Sequence, residues 1–117
     1  VFGSVIAVTR KEIPAILDDQ VICIGGEIKV AKYALPGSIE LAQNVVAALG
    51  PRNAVILSNH GTLAVGRNMR EALNNSELLE KTARVYIMAI GLGTVQPLSD
   101  DVTGVEKGFF EAVFGEG

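Results

Sequence analysis

The chain has 117 residues, and 49% of them are hydrophobic, enough for one packed core, so it is one domain or one part of a larger one. Its formal net charge is −3, and its ten Lys and Arg are scattered among thirteen Asp and Glu, which excludes a basic face for nucleic acid. No apolar run reaches membrane-spanning length, the best being Val85 to Leu92 with Gly91 inside it, and no signal peptide is visible.

The first residue is Val1 rather than Met, and the apolar segment Val5-Ile6-Ala7-Val8 follows almost at once. This abrupt start suggests a further N-terminal portion. Val1 to Thr9 reads as the end of an apolar helix, with Arg10-Lys11 suited to the negative end of its dipole. Ile13-Pro14 stops it, because a residue before proline avoids the helical region. Val21 to Ile24 and Ile28 to Ala31 are predicted as two short strands, with Gly25-Gly26 as the turn between them. Ser38, after Pro36-Gly37, is a helix N-cap. Leu41, Val45, Ala48 and Leu49 make one stripe on that helix, and Gly50-Pro51 ends it.

Two more apolar runs, Ala54 to Ser58 and Thr62 to Gly66, flank Asn59-His60-Gly61 and read as strands joined by a tight link. Asn68-Met69-Arg70-Glu71 is a variant of the capping box and opens the longest helix. Ala72, Leu79, Ala83 and Tyr86 fall on one of its faces, with Leu78, Thr82, Val85 and Ala89 beside them, so burial on more than one side is predicted. Glu77 and Lys81 are spaced for an i,i+4 ion pair. Gly91 and Gly93 end this helix. Ser99-Asp100-Asp101 caps a last one, whose apolar positions include Val105, Phe109, Ala112 and Val113. The order helix, β, β, helix, β, β, long helix, helix predicts an α/β fold with a mixed or antiparallel sheet and helices packed on it.

His60 is the only histidine, and it carries the chemistry most open to interpretation. At a strand end its ring is either a hydrogen-bonded structural group or a metal ligand or catalyst. No other residues show metal-ligand spacing, so any partners lie elsewhere. Gly25-Gly26 lacks the Lys-Ser/Thr of a phosphate loop and reads as a turn. Asp18-Asp19 reads as a solvated loop, because neighbouring side chains diverge. Tyr33 is read as a packing residue rather than a substrate contact. Phe109, Phe110 and Phe114 read as core or subunit contact. Cys23, the lone cysteine, reads as a small core residue and suits a reducing compartment such as the cytoplasm.

From Val1 to about Ser99 the chain resembles the C-terminal half of the class II aldolase/adducin family, of the L-fuculose-phosphate aldolase type. The resemblance is carried by four ordered pieces. These are Arg10-Lys11-Glu12-Ile13-Pro14-Ala15; the run from Gly25 to Ser38; Arg52 to Gly61 followed by Ala64-Val65-Gly66; and Glu71-Ala72 with Glu77-Leu78-Leu79-Glu80 and Ala83-Arg84-Val85-Tyr86. It implies an α/β/α sandwich with a mostly antiparallel central sheet, present here only in part, so that residues 1–117 form the C-terminal part of a single domain. It implies a divalent metal, zinc, held by three histidines, of which His60 is the third. The other two, a His-x-His, are expected just upstream of Val1, together with the acid/base glutamate and the phosphate-binding loops. No catalytic residue in the present chain is therefore assigned.

The resemblance further implies metal-dependent retro-aldol cleavage of a sugar phosphate, the metal acting as Lewis acid, in a homo-oligomer, commonly a tetramer, with sites between subunits. Some relatives epimerise or decarboxylate instead. Adducin-like members have lost catalysis, so the alternative is a non-catalytic interaction module or an inactive fragment. Where the fuculose-type enzyme places a tyrosine, the loop after Ile13-Pro14 places Asp18. With one ligand, the 117 residues alone are expected not to hold zinc tightly and to be inactive. They are also expected to fold only with the missing half or in an oligomer.

Overall fold

Helices lie on both faces of a small sheet in the computed structural model, which describes residues 1–115. In chain order the elements are α1 (Phe2–Thr9), a one-turn π-helix (Gln20–Ile24), β1 (Val30–Ala31), α2 (Ile39–Leu49), β2 (Ala54–Leu57), β3 (Gly61–Ala64), α3 (Met69–Leu92) and α4 (Asp100–Phe114). The sheet order is β1-β2-β3, with β1 parallel and β3 antiparallel to β2. A central strand covered on both faces is apolar throughout, and every residue of Ala54-Val55-Ile56-Leu57 is buried. Alternation along the strand divides them. Ala54 and Ile56 join Ile6 and Ala7 of α1 and Leu79, Ala83 and Tyr86 of α3. Val55 and Leu57, with Ala31, lie under Leu41, Val45, Ala48 and Leu49 of α2, the stripe expected from the sequence. The result is an α/β/α arrangement around a mixed sheet.

The helix starts follow local chemistry. Ser38 Oγ accepts from Leu41 N at 3.1 Å, Asn68 Oδ1 from Glu71 N at 2.9 Å, and Ser99 Oγ from Val102 N at 3.3 Å. At α3 only half of the capping box forms. Glu71 does not return to the Asn68 N–H; its Oε1 accepts from Arg67 N at 3.0 Å, and its Oε2 pairs with the Arg67 guanidinium at 2.7 Å.

Two expectations are corrected. Residues 21–24 belong to the π-helix and not to a strand. The buried Gln20 side chain decides this: Oε1 accepts from Ile16 N at 3.1 Å, and Nε2 donates to the Pro14 and Gly26 carbonyls at 3.0 Å each. Those bonds curl residues 14–26 into a compact turn that overrides strand propensity. Gly25, at φ 106°, closes the π-helix by donating to the Gln20 and Val21 carbonyls, so Gly25-Gly26 joins a helical turn to the sheet. A Cβ at Gly25 would stand 2.9 Å from the Phe110 ring, so α4 uses the bare backbone as its seat. Of the predicted run, Ile28 makes only an isolated antiparallel bridge with Ile13, and Val30–Ala31 forms β1. The second correction is the Glu77–Lys81 pair. Lys81 Nζ instead meets Asp19 Oδ2, 62 residues away, at 2.7 Å.

The broad stripe of α3 buries Asn75, Leu79, Thr82, Ala83 and Tyr86, while Val85 lies exposed at its edge. In α4 the buried residues are Glu106 and Phe110, so Val102, Val105, Phe109 and Val113 face outward. Cys23 is half-buried, and burial, helped by the negative charge of Asp19, pushes its thiol up. Among the described residues no helix is long and apolar enough to cross a membrane.

Candidate metal-ligand site

The turn Ser58-Asn59-His60 joins β2 to β3 and is closed by the His60 N–H donating to the Leu57 carbonyl at 3.1 Å. Its backbone needs Asn59 at φ 56°, the left-handed region that asparagine tolerates better than most residues. Two segments hold the turn, through three residues. The Ala31 carbonyl, at the end of β1, accepts from Ser58 N at 3.3 Å and Ser58 Oγ at 2.7 Å. The Ala7 carbonyl, in the last turn of α1, accepts from Asn59 N at 3.0 Å. Arg10, which caps α1, donates through Nε to Asn59 Oδ1 at 2.8 Å, and its guanidinium lies 5.7 Å from the centre of the Tyr33 ring.

Arg10 is itself left-handed, at φ 55°, a conformation costing about 1–2 kcal/mol in an L-residue. Among the described residues Arg10 and Asn59 are the only non-glycines with positive φ, and they are bonded to each other. The far end of α1 is fixed just as firmly. Glu80, on α3, accepts from Val1 N at 3.0 Å and Phe2 N at 2.9 Å through Oε2, and from Gly3 N at 2.9 Å through Oε1. Burial alone would raise this carboxyl. The charged Val1 amino group, with the Gly3 and Phe2 N–H groups, outweighs it and holds the carboxyl below its ordinary 4.5.

His60 thus stands exposed on a turn whose backbone is tied down on the residues just before it. It borders an open groove of about 580 Å³ between α2 and β3, lined by Ser38, Leu41, Val45, Leu57 and Leu63. An accessible imidazole on a fixed turn suits coordination of a transition metal. Among the described residues no group of three or more His, Cys, Asp or Glu side chains is placed to hold an ion, so the donors here fit one member of a ligand set and not the set.

The other residues singled out above lie away from this turn or serve it indirectly. Tyr33 is about half exposed and carries the Arg10 guanidinium on its ring. Asp19 pairs with Lys81, and Asp18 meets Glu106 of α4. Phe110 and Phe114 pack together at 5.1 Å, with Arg67 over Phe114 at 4.9 Å. Reading the sequence missed Arg10 and Glu80 as tethers. Their partners lie 49 and 77–79 residues away, and no local pattern marks such pairs.

Comparison with known proteins agrees with this arrangement. The family described as Class II Aldolase and Adducin N-terminal domain matches residues 1–87. The 5-methylthioribulose-1-phosphate/5-deoxyribulose-1-phosphate aldolase of Rhodospirillum rubrum is 29% identical over 100 residues, which are 86% of this chain and 45% of that protein. The L-fuculose phosphate aldolase of Escherichia coli K12 is 30% identical over 98 residues, 84% of this chain and 46% of the enzyme. A solved L-fuculose 1-phosphate aldolase superposes with a TM-score of 0.88 at 33% identity, covering 95% of this chain and 52% of that one. The chain spans about half the length of these relatives. With the fold, the layer order and more than two thirds of the residues matched, this chain belongs to the class II aldolase and adducin N-terminal domain family.

Proposed function

We propose that this chain is the C-terminal part of a class II aldolase-like lyase that cleaves a sugar phosphate by a metal-dependent retro-aldol reaction, with His60 as one metal ligand. The observation supporting this reading is the position of His60: the one histidine of the chain, exposed on a turn held by the ends of β1 and α1. The likeness to aldolases of phosphorylated ketoses adds the substrate class. A divalent metal, zinc in this reading, supplies a Lewis acid for the substrate carbonyl when bound. The chain's own contribution is positional. Ala31, Ala7 and Arg10 fix Ser58 and Asn59, so the imidazole is presented with little reorganisation. The remaining ligands, the acid/base group and the phosphate contacts belong, in this proposal, to sequence N-terminal to Val1.

The outward apolar stripe of α4 supports a homo-oligomer, a tetramer in our reading, in which that face is covered. The single cysteine supports a reducing, cytoplasmic setting. The same stripe is the observation favouring the second reading, a non-catalytic interaction module of adducin type. In the full-length protein, His60→Ala is expected to lose bound zinc and to abolish cleavage of L-fuculose 1-phosphate or 5-deoxyribulose 1-phosphate, with an unchanged circular dichroism spectrum. Normal metal content and wild-type cleavage in the variant would remove His60 from the site. A wild-type protein that neither binds metal nor cleaves these compounds would favour the interaction module.

A further inference from the structure

We propose that Arg10 is a positioning residue for His60, acting through Asn59 to fix the direction in which the imidazole meets its ligand. The inference rests on the reading of His60 as a metal ligand and adds a residue that does not itself touch the metal. An exposed Arg–Asn hydrogen bond is ordinarily weak, because both partners are well hydrated and mobile. Three observations set this one apart. Arg10 holds a left-handed backbone at the end of α1, which aims its side chain across to the β2–β3 turn. Its guanidinium lies over the Tyr33 ring, which restricts the rotamers it would otherwise sample. Its acceptor, Asn59, has the other left-handed non-glycine backbone among the described residues and immediately precedes His60.

The Ala7 carbonyl and Arg10 Nε therefore grip one residue, at its backbone and at its side chain, from the same helix. That helix is anchored at its opposite end by Glu80, so it acts as a rigid strut between α3 and the turn. Releasing the Arg10 contact leaves Asn59 with its backbone bond and a free side chain. The left-handed Asn59 backbone then loses its side-chain restraint, and the direction in which the next residue, His60, projects is less closely fixed. Partners bonded to a ligating imidazole itself commonly change metal affinity by about 10- to 100-fold, and Arg10, acting one residue removed, is expected to contribute about three- to tenfold.

The test is zinc affinity of the full-length protein, measured by competition with a chromophoric chelator, with thermal unfolding recorded alongside. Arg10→Ala is expected to weaken zinc binding about three- to tenfold while the melting temperature stays near wild type. Asn59→Gly, which keeps the left-handed backbone but deletes the acceptor, is expected to produce the same loss. The double variant is expected to bind no more weakly than either single one. Arg10→Lys, which keeps a donor within reach of Asn59, is expected to recover part of the affinity. Wild-type zinc affinity in Arg10→Ala or in Asn59→Gly, or fully additive losses in the double variant, would overturn the proposal, provided His60→Ala does lose zinc. Retention of zinc by His60→Ala would overturn the reading of His60 and this inference with it.

Discussion

Glu80, where α3 meets α1, and Glu106, on the face of α4 that meets the loop before the π-helix, are both carboxylates drawn partly out of water, yet they meet different neighbours. Glu80 receives the charged Val1 amino group and the Phe2 and Gly3 N–H groups, and is held below its ordinary 4.5 despite its burial. Glu106 is 8% exposed, its Oε1 has no partner among the described residues, and the side chain it meets is another acid, Asp18. Burial first, then the hydrogen bond and charge of Asp18, push its carboxyl up. Burial favours the neutral form of any carboxyl, and the supply of donors decides whether that tendency wins. The α1–α3 side has those donors, and it is the side that holds the His60 turn. The α4 side lacks them at Glu106, and α4 begins at Asp100, beyond the residues that the family matches. The contrast separates a frame built to hold a site from a helix whose seat is only partly matched.

The largest expected effect lies on the α1 side. Glu80→Ala removes the acceptor of the Phe2 and Gly3 N–H groups and is expected to cost about 1–2 kcal/mol at pH 7, read from the urea midpoint. The sign of its pH dependence follows from the lowered carboxyl. Its contribution is complete above pH 4.5 and is lost as pH falls through the folded-state value, so variant and wild type are expected to converge in acid. A variant as stable as wild type at pH 7 would break the comparison.

Glu106 runs the other way. A raised carboxyl contributes stability below pH 4.5 and loses it as pH climbs through the folded-state value. Glu106→Gln keeps a neutral side chain at every pH. It is expected to match wild type at pH 4 and to melt at a higher temperature at pH 7. A variant that melts lower at pH 7 would show that the ionised form has a donor after all. The smallest effect sharpens the contrast by its absence. Glu77→Ala is expected to change stability by no more than about 0.5 kcal/mol, because Lys81 is already engaged by Asp19. A larger loss would restore the local pair expected from spacing.

What could be read from the amino-acid order is what local geometry controls. Ser38, Asn68 and Ser99 cap helices because each needs only an N–H three residues on. The α2 stripe follows from a 3.6-residue period, and β2 from four apolar residues in a row. Val21 to Ile24 misled because strand propensity yields to Gln20, whose amide finds carbonyls six residues away on either side. Lys81 misled because a residue across the fold outcompeted its helical neighbour. For the site, Asn59-His60-Gly61 between two strands was legible as a turn presenting an imidazole. Its tethers were not, because Arg10 meets Asn59 only after α1 and the sheet have packed.

The contact of Glu80 with residues 1–3 also has a meaning in time. Residues 1–3 leave the ribosome some 77 positions ahead of the side chain that receives their N–H groups. At about 5–20 residues per second, that interval is on the order of ten seconds. Throughout it the side chains of Ile6 and Ala7 stay uncovered, because the Leu79 and Ala83 side chains they pack with are not yet made. The strut that holds the candidate ligand turn is therefore completed late in synthesis, and the nascent chain exposes that apolar segment until α3 arrives.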